Sequence, residues 1–166
     1  AGFQSIKVAG DSMDESIRHH FRKEYNMAIG LKTAEQVKIQ VGAVMQELPD
    51  PPAPMMVKGK ELLRGLPVTR NVDHREIASV LEKSISSIEL GIIQTLETCP
   101  PELAADIYGS GVYVTGGNAL LRGLQERLQR KLKLPVNIDE DPLLSVSKGV
   151  AVVLRNPKKY KGMLMQ

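Results

Sequence analysis

Apolar residues recur along this chain at two different periods, and the changes between them mark out helices and short extended pieces. Met13, Ile17, His20 and Phe21 fall on one face at three- and four-residue spacing. They predict a helix capped by Asp11 or Ser12 and running to about Tyr25. Thr33-Ala34-Glu35-Gln36 reads as a capping box, with Val37 and Val41 one turn apart behind it and Gly42 placed to end the helix. From Ala43 to Leu48 and from Met55 to Leu62 the pattern suggests two strands. The connection Pro49-Asp50-Pro51-Pro52-Ala53-Pro54 cannot be helical and lacks ladder donors at its prolines, so it is expected as an exposed hairpin tip. Leu66 to Val72 makes a third extended piece.

Beyond Asn71 strand and helix alternate. Asp73-His74-Arg75-Glu76 is a second capping arrangement, and Ile77, Val80, Leu81, Ile85, Ile88, Ile92 and Leu96 form one long stripe. That stripe predicts a helix of about 25 residues, stopped by Pro100-Pro101. Pro101 suits the first position of a short helix through Ala104, Ala105 and Ile107. A strand at Val112–Thr115 runs through Gly116-Gly117 into a helix expected from about Ala119 to Lys133, apolar at Leu120, Leu121, Leu124, Leu128 and Leu132. Pro135 to Ile138 reads as a strand, and Asp141-Pro142 as the start of a helix through Val146 and Val150 to Leu154, before a basic tail. Helices between short buried strands imply an α/β layer. Two strands are nevertheless too few for an ordinary sheet of five or six.

At 166 residues, 42% hydrophobic and 25% charged, the chain can bury one ordinary core or two small ones. No apolar run approaches the roughly 20 residues that span a bilayer. The single Cys99 has no disulfide partner and no metal-ligand companions, which fits a reducing, cytoplasmic setting. The net charge of +3 is spread among interleaved acids, and without Trp there is no aromatic platform for bases, so nucleic acid is not an expected partner. His19, His20 and His74 gather no carboxylate or thiol at ligand spacing. They are expected on the surface, with no catalytic or metal-binding set assigned. Met55-Met56 reads either as sheet core or as an adaptable binding strand. Arg155, Lys158, Lys159 and Lys161 read as a solvated tail, with contact to anionic lipid as the alternative.

The stretch Val112-Tyr113-Val114-Thr115-Gly116-Gly117-Asn118-Ala119-Leu120 carries the clearest chemical suggestion. Residues without a Cβ let the backbone pass close to a flat ring or a phosphate at a helix start. By itself a glycine pair after a strand equally serves a tight turn. Likewise Glu35 and Lys38, three apart, read by themselves as a solvated helix pair, and Gln36 as the closing member of its capping box.

Taken together, a series of short motifs resembles the MreB family of bacterial actins. It comprises Val8-Ala9-Gly10-Asp11-Ser12-Met13-Asp14, Tyr25-Asn26, Ile29-Gly30, Thr33 to Ile39, Gly59-Lys60-Glu61-Leu62, Gly65-Leu66-Pro67, Pro100 to Ile107, Val114-Thr115-Gly116-Gly117, Leu134-Pro135-Val136 and Glu140-Asp141-Pro142, in the family's order. The resemblance reaches to about Leu154. It implies an α/β, actin-like (ribonuclease H-like) half-molecule. Residues 1–71 would form a small α+β outer subdomain (IIB), with two helices and a hairpin. Residues 72–166 would form the C-terminal part of the larger subdomain (IIA), lacking its first strands.

The resemblance further implies that adenosine lies against Gly10, against Glu35, Gln36, Val37 and Lys38, and against Gly116, Gly117, Asn118, Ala119 and Leu120. Asn118 stands where the family usually has a third glycine. The family's two phosphate loops and its metal- and water-positioning residues have no counterpart here. ATP or ADP with Mg2+ is therefore expected for the parent protein, and weak or no binding and no hydrolysis for this chain alone.

By resemblance the parent polymerises head to tail beneath the cytoplasmic membrane and guides the cell-wall elongation machinery that maintains rod shape. This chain would carry both sides of a heterologous contact without inserting into the membrane itself. An uncovered sheet edge would invite dimerisation or domain swapping. An ATPase or chaperone of the same superfold acting on a client is the alternative.

Overall fold

A computed structural model describes residues 3–161. The ends of the two expected blocks, residues 1–2 and 162–166, lie outside the described residues.

The first helix, α1 (Gly10–Tyr25), presents Met13, Ile17 and Phe21 to the interior, all fully buried. It begins earlier than expected. Ala9, not Asp11 or Ser12, is the capping residue, and Ser12 reaches back to accept from the Ala9 N–H at 3.0 Å. Helix α2 (Leu31–Val41) buries Ala34, Val37 and Val41. Its cap is Gly30, whose carbonyl accepts from Ala34 at 3.0 Å. Thr33 therefore lies inside the first turn, the Thr33–Gln36 box does not form, and Gln36 bonds Gln40 instead.

Three strands pack beside these helices: β1 (Met27–Ala28), β2 (Met55–Glu61) and β3 (Pro67–Val72), antiparallel in the order β1-β2-β3. The hairpin is thus β2–β3, turned through Leu62–Leu66, and the strand expected at Ala43–Leu48 is absent. Ala43 and Val44 of that run are buried, Gln46 and Glu47 are exposed, and its backbone is bonded otherwise. Val44 N–H donates to the Arg122 carbonyl at 3.0 Å, and the Val44 carbonyl accepts from the Arg127 guanidinium at 2.9 Å. Side chains and a distant turn satisfy its backbone, so it needs no ladder. The proline segment at 49–54 is correspondingly a loop between α2 and β2 rather than a hairpin tip.

Helix α3 (His74–Glu97) follows the apolar stripe, with the Asp73 carboxylate accepting from Glu76 N–H at 2.9 Å at its start. Pro101 opens α4 (Pro101–Ser110) as expected. Strands β4 (Val112–Val114) and β5 (Val136–Ile138) form a two-stranded parallel sheet. The long helix expected from Ala119 to Lys133 is broken: a 3-10 turn at Gly117–Leu120 precedes α5 (Leu124–Leu132). Helix α6 (Ser145–Arg155) starts three residues beyond Pro142, where Ser145 donates to the Asp139 carboxylate at 2.7 Å.

One contiguous core runs from Met13, Phe21 and Val37 through Ile77, Leu81 and Ile85 of α3 to Leu128 and Val136. Two of the histidines expected on the surface belong to this interior. His74 is buried with Nε2 3.0 Å from the Gln46 carbonyl, and half-buried His20 sits 2.5 Å from the Glu76 carboxylate. Tyr25 donates to the same carboxylate oxygen at 2.6 Å, and that bond pushes the phenol up to about 12. His20 and Tyr25 thereby fasten the first block to the start of α3.

Candidate functional site

Gly10, Lys38 and Asn118 are far apart in sequence, yet the fold brings them to one point. Gly10 is the first residue of α1, Lys38 projects from α2, and Asn118 sits in the 3-10 turn after β4. A Cβ on Gly10 would lie 3.3 Å from Lys38 Nζ and 3.6 Å from Asn118 Oδ1. A Cβ there would press on the ammonium end of Lys38 and meet the Asn118 amide at ordinary contact distance, so a small residue suits the start of α1.

Lys38 is not the solvated helix residue its spacing suggests. Its ammonium donates to the Gly10 carbonyl at 3.1 Å and lies 2.9 and 3.0 Å from the two oxygens of Asp14. The Lys38 and Asp14 side chains are only 11% and 10% exposed. So small an exposure requires the two charges to neutralise each other. Lys38 thus holds α2 against the first turn of α1 and fixes the Gly10 backbone. Asp14 is the member of this arrangement that sequence reasoning missed. Its signal was an acid beside Met13 on an otherwise apolar helix face.

The remaining expected residues divide clearly. Gly116 has φ +88, a left-handed value that glycine adopts without strain, and its N–H donates to the Pro142 carbonyl at 2.9 Å. Gly117 approaches Leu143 so closely that a Cβ would lie 3.2 Å from its methyl carbon. Ala119 is buried and Leu120 exposed. Val37 is fully buried, so its side chain serves the core and offers nothing to a ligand, while Glu35 and Gln36 point to solvent. The cradle is built from Gly10, Lys38 with Asp14, and Asn118. It offers a backbone approach, a lysine stem and one side-chain amide, which suits the face of a flat polar ring more than a phosphate.

An apolar concavity lies elsewhere. An open groove of about 520 Å³ between α3 and α4 is lined by Ile88, Ile92, Leu96, Leu103, Ile107 and Val112 among others. Its walls are mainly hydrocarbon, so it lacks the converging polar groups that orient a small ligand. Among the described residues no three His, Cys, Asp or Glu side chains gather to hold a metal, and no helix is long and apolar enough to cross a membrane.

Residues 2–162 match the family model described as MreB/Mbl protein. The chain is 40% identical over 155 residues to the cell shape-determining protein Mbl of Bacillus subtilis (strain 168), covering 93% of this chain and 46% of Mbl. It is 37% identical over 145 residues to the cell shape-determining protein MreB of Escherichia coli (strain K12), covering 87% of this chain and 41% of that protein. The crystal structure of MreB5 of Spiroplasma citri bound to AMPPNP superposes with a TM-score of 0.89 at 37% identity, over 98% of this chain and 48% of MreB5. A MamK double helical filament shares the fold alone, with a TM-score of 0.67 at 22% identity. The fold is therefore a partial α/β actin-like one, and the chain spans about half the length of the relatives it matches.

Proposed function

This chain belongs to the MreB/Mbl family, and from that premise we propose that it supplies the adenosine-binding side of the nucleotide cleft, and the filament contacts, of a cell shape-determining bacterial actin. The observation that carries the reading is the convergence of Gly10, Lys38 and Asn118 on one cradle. The likeness to MreB5 structures bound to AMPPNP and to ADP supports a nucleotide as the occupant. Residues up to Asn71 act as the outer subdomain and those beyond as part of the larger one. The cradle lies between them, with Lys38 and Gly10 on one side and Asn118 on the other.

In this reading the complete protein binds ATP with Mg2+ and assembles head to tail under the cytoplasmic membrane, where it organises the cell-wall elongation machinery. This chain holds the nucleoside and leaves the phosphates and metal to the other part of the cleft. It is catalytically inert alone, because hydrolysis requires clamped phosphates and an aligned water. Its uncovered apolar surface promotes self-association.

Calorimetric titration with Mg-ATP, with phosphate release followed on the same sample, tests the proposal. Weak or absent binding of the triphosphate without turnover is the expected result. Tight binding with steady turnover would overturn it, since the chain would then hold phosphate-clamping groups of its own.

A further inference from the structure

The segment Pro49-Asp50-Pro51-Pro52-Ala53-Pro54 has no part in the nucleoside cradle, and covalent geometry alone restricts its shape. Its prolines fix φ at about −65°. Leu48, Asp50, Pro51 and Ala53 each precede a proline, which drives them to extended backbone. Every residue from Leu48 to Pro54 is thus a proline or is followed by one, and the chain is held to a polyproline II course without internal hydrogen bonds. Residues 49–54 accordingly form neither helix nor strand, and among the described residues no hydrogen bond engages any of them. Both ends are fastened. A Cβ on Gly123 would lie 3.2 Å from a Leu48 methyl carbon, His74 Nε2 lies 3.0 Å from the Gln46 carbonyl, and Pro54 runs into β2, where Met55 pairs with Val72.

Asp50, Pro51, Ala53 and Pro54 are exposed, whereas Pro52 between them is half-buried. At about three residues per turn, Asp50 shares a face with Ala53 and Pro51 with Pro54, while Pro52 takes the face towards the body. Two X-Pro pairs, one turn apart, are thereby displayed outward. We infer that this segment docks into a protein domain whose groove is lined by parallel aromatic side chains and edged by a cation. Aromatic rings form the slots that X-Pro pairs fill, and their indole or phenol donors reach the unbonded carbonyls. A segment already extended and tied at both ends loses little freedom on docking. The cation follows from Asp50. No Lys or Arg lies between Val41 and Lys58, and Glu47 already faces Arg75 at 3.4 Å, so Asp50 is the charge the segment displays. The inference is independent of the nucleotide reading above.

The test titrates the 166-residue chain into isolated proline-binding domains of the SH3 and WW kinds, chosen to carry a groove tryptophan and either a basic or an acidic rim. The chain has no Trp, so a change in tryptophan emission reports the groove alone. Basic-rimmed domains are expected to respond and to bind more tightly than acidic-rimmed ones. Pro51→Ala and Pro54→Ala should each weaken binding about tenfold, with the far-UV spectrum of the exposed loop variants unchanged. Asp50→Lys should move the preference towards acidic rims. Binding that survives Pro51→Ala combined with Pro54→Ala would put the contact elsewhere on the chain and overturn the inference. Silence of every basic-rimmed domain at about 1 mM chain would overturn it as well. An unchanged rim preference in Asp50→Lys would overturn the assignment of a cation to the partner.

Discussion

The two blocks of this molecule are similar in composition but differ in how far their elements are buried in the shared core. Around α1, α2 and β2, the side chains of Met13, Ile17, Phe21, Met27, Val37 and Val57 are at most 1% exposed. In α4 and α6, by contrast, no residue is buried, and Val146, Val150 and Leu154 of α6 each expose half or more of their surface. The cause is the sheet. Three antiparallel strands with two helices on one face make a closed layer, whereas β4 and β5 form a parallel pair, an arrangement normally covered on both faces. Helix amphipathicity alone does not bury a helix; a partner surface of sufficient width is also needed.

That contrast can be broken most sharply by truncation. Phe21→Ala should cost about 4 kcal/mol by urea denaturation, the usual loss for a fully buried aromatic, whereas Leu154→Ala should change stability by less than about 0.5 kcal/mol. Comparable losses would mean that α6 packs against something in solution.

The link between α5 and the rest is expected to be nearly as sensitive. Arg127 bonds Glu89 at 2.6 Å, Glu82 at 2.6 and 2.8 Å and the Val44 carbonyl. Glu89 is buried, so Arg127→Met should cost about 3 kcal/mol by leaving its charge uncompensated. Full stability in Arg127→Met, by the same denaturation, would show that Glu89 is solvated or protonated instead.

Val146→Lys with Val150→Lys should lower dye binding and shift sedimentation towards monomer while the melting temperature holds within a few degrees. No change in association would remove α6 from the proposed self-association surface.

The smallest effect concerns pH. Tyr25 is held neutral by its bond to Glu76, with its pKa raised from 10.0 to about 12. A raised pKa contributes stability that is complete below pH 10 and disappears as pH rises through about 12. Tyr25→Phe should remove that part of the alkaline decline, read as the difference between the two melting profiles. Parallel profiles would show that the phenol titrates alike in folded and unfolded chain.

Much of this fold was legible where a local signal was complete. The stripe from Ile77 to Leu96 and the Asp73 cap located α3, and Pro101 located the start of α4. The failures arose where a backbone group found a partner outside its own segment. The apolar run Ala43–Leu48 reads as a strand, but Arg122 and Arg127 take its hydrogen bonds. The helix expected from Ala119 breaks because Ala119 and Leu121 turn into the core and Gly123 adopts φ +80 before α5 begins. His20 and His74 gave no sign of burial, because the Glu76 carboxylate and the Gln46 carbonyl that accommodate them come from other elements.

By itself the sequence determined the helix periods, the breaks at proline and glycine, and the ordered motifs that resemble a bacterial actin, since each depends on residues close together in the chain. Only the tertiary structure decided that Lys38 turns inward to Asp14, that Val37 belongs to the core, and that Asn118 faces Gly10. Those outcomes depend on which elements meet. A charge is buried or solvated according to whether packing supplies its counter-charge, and the distance between Gly10 and Asn118 is set by the core beneath them.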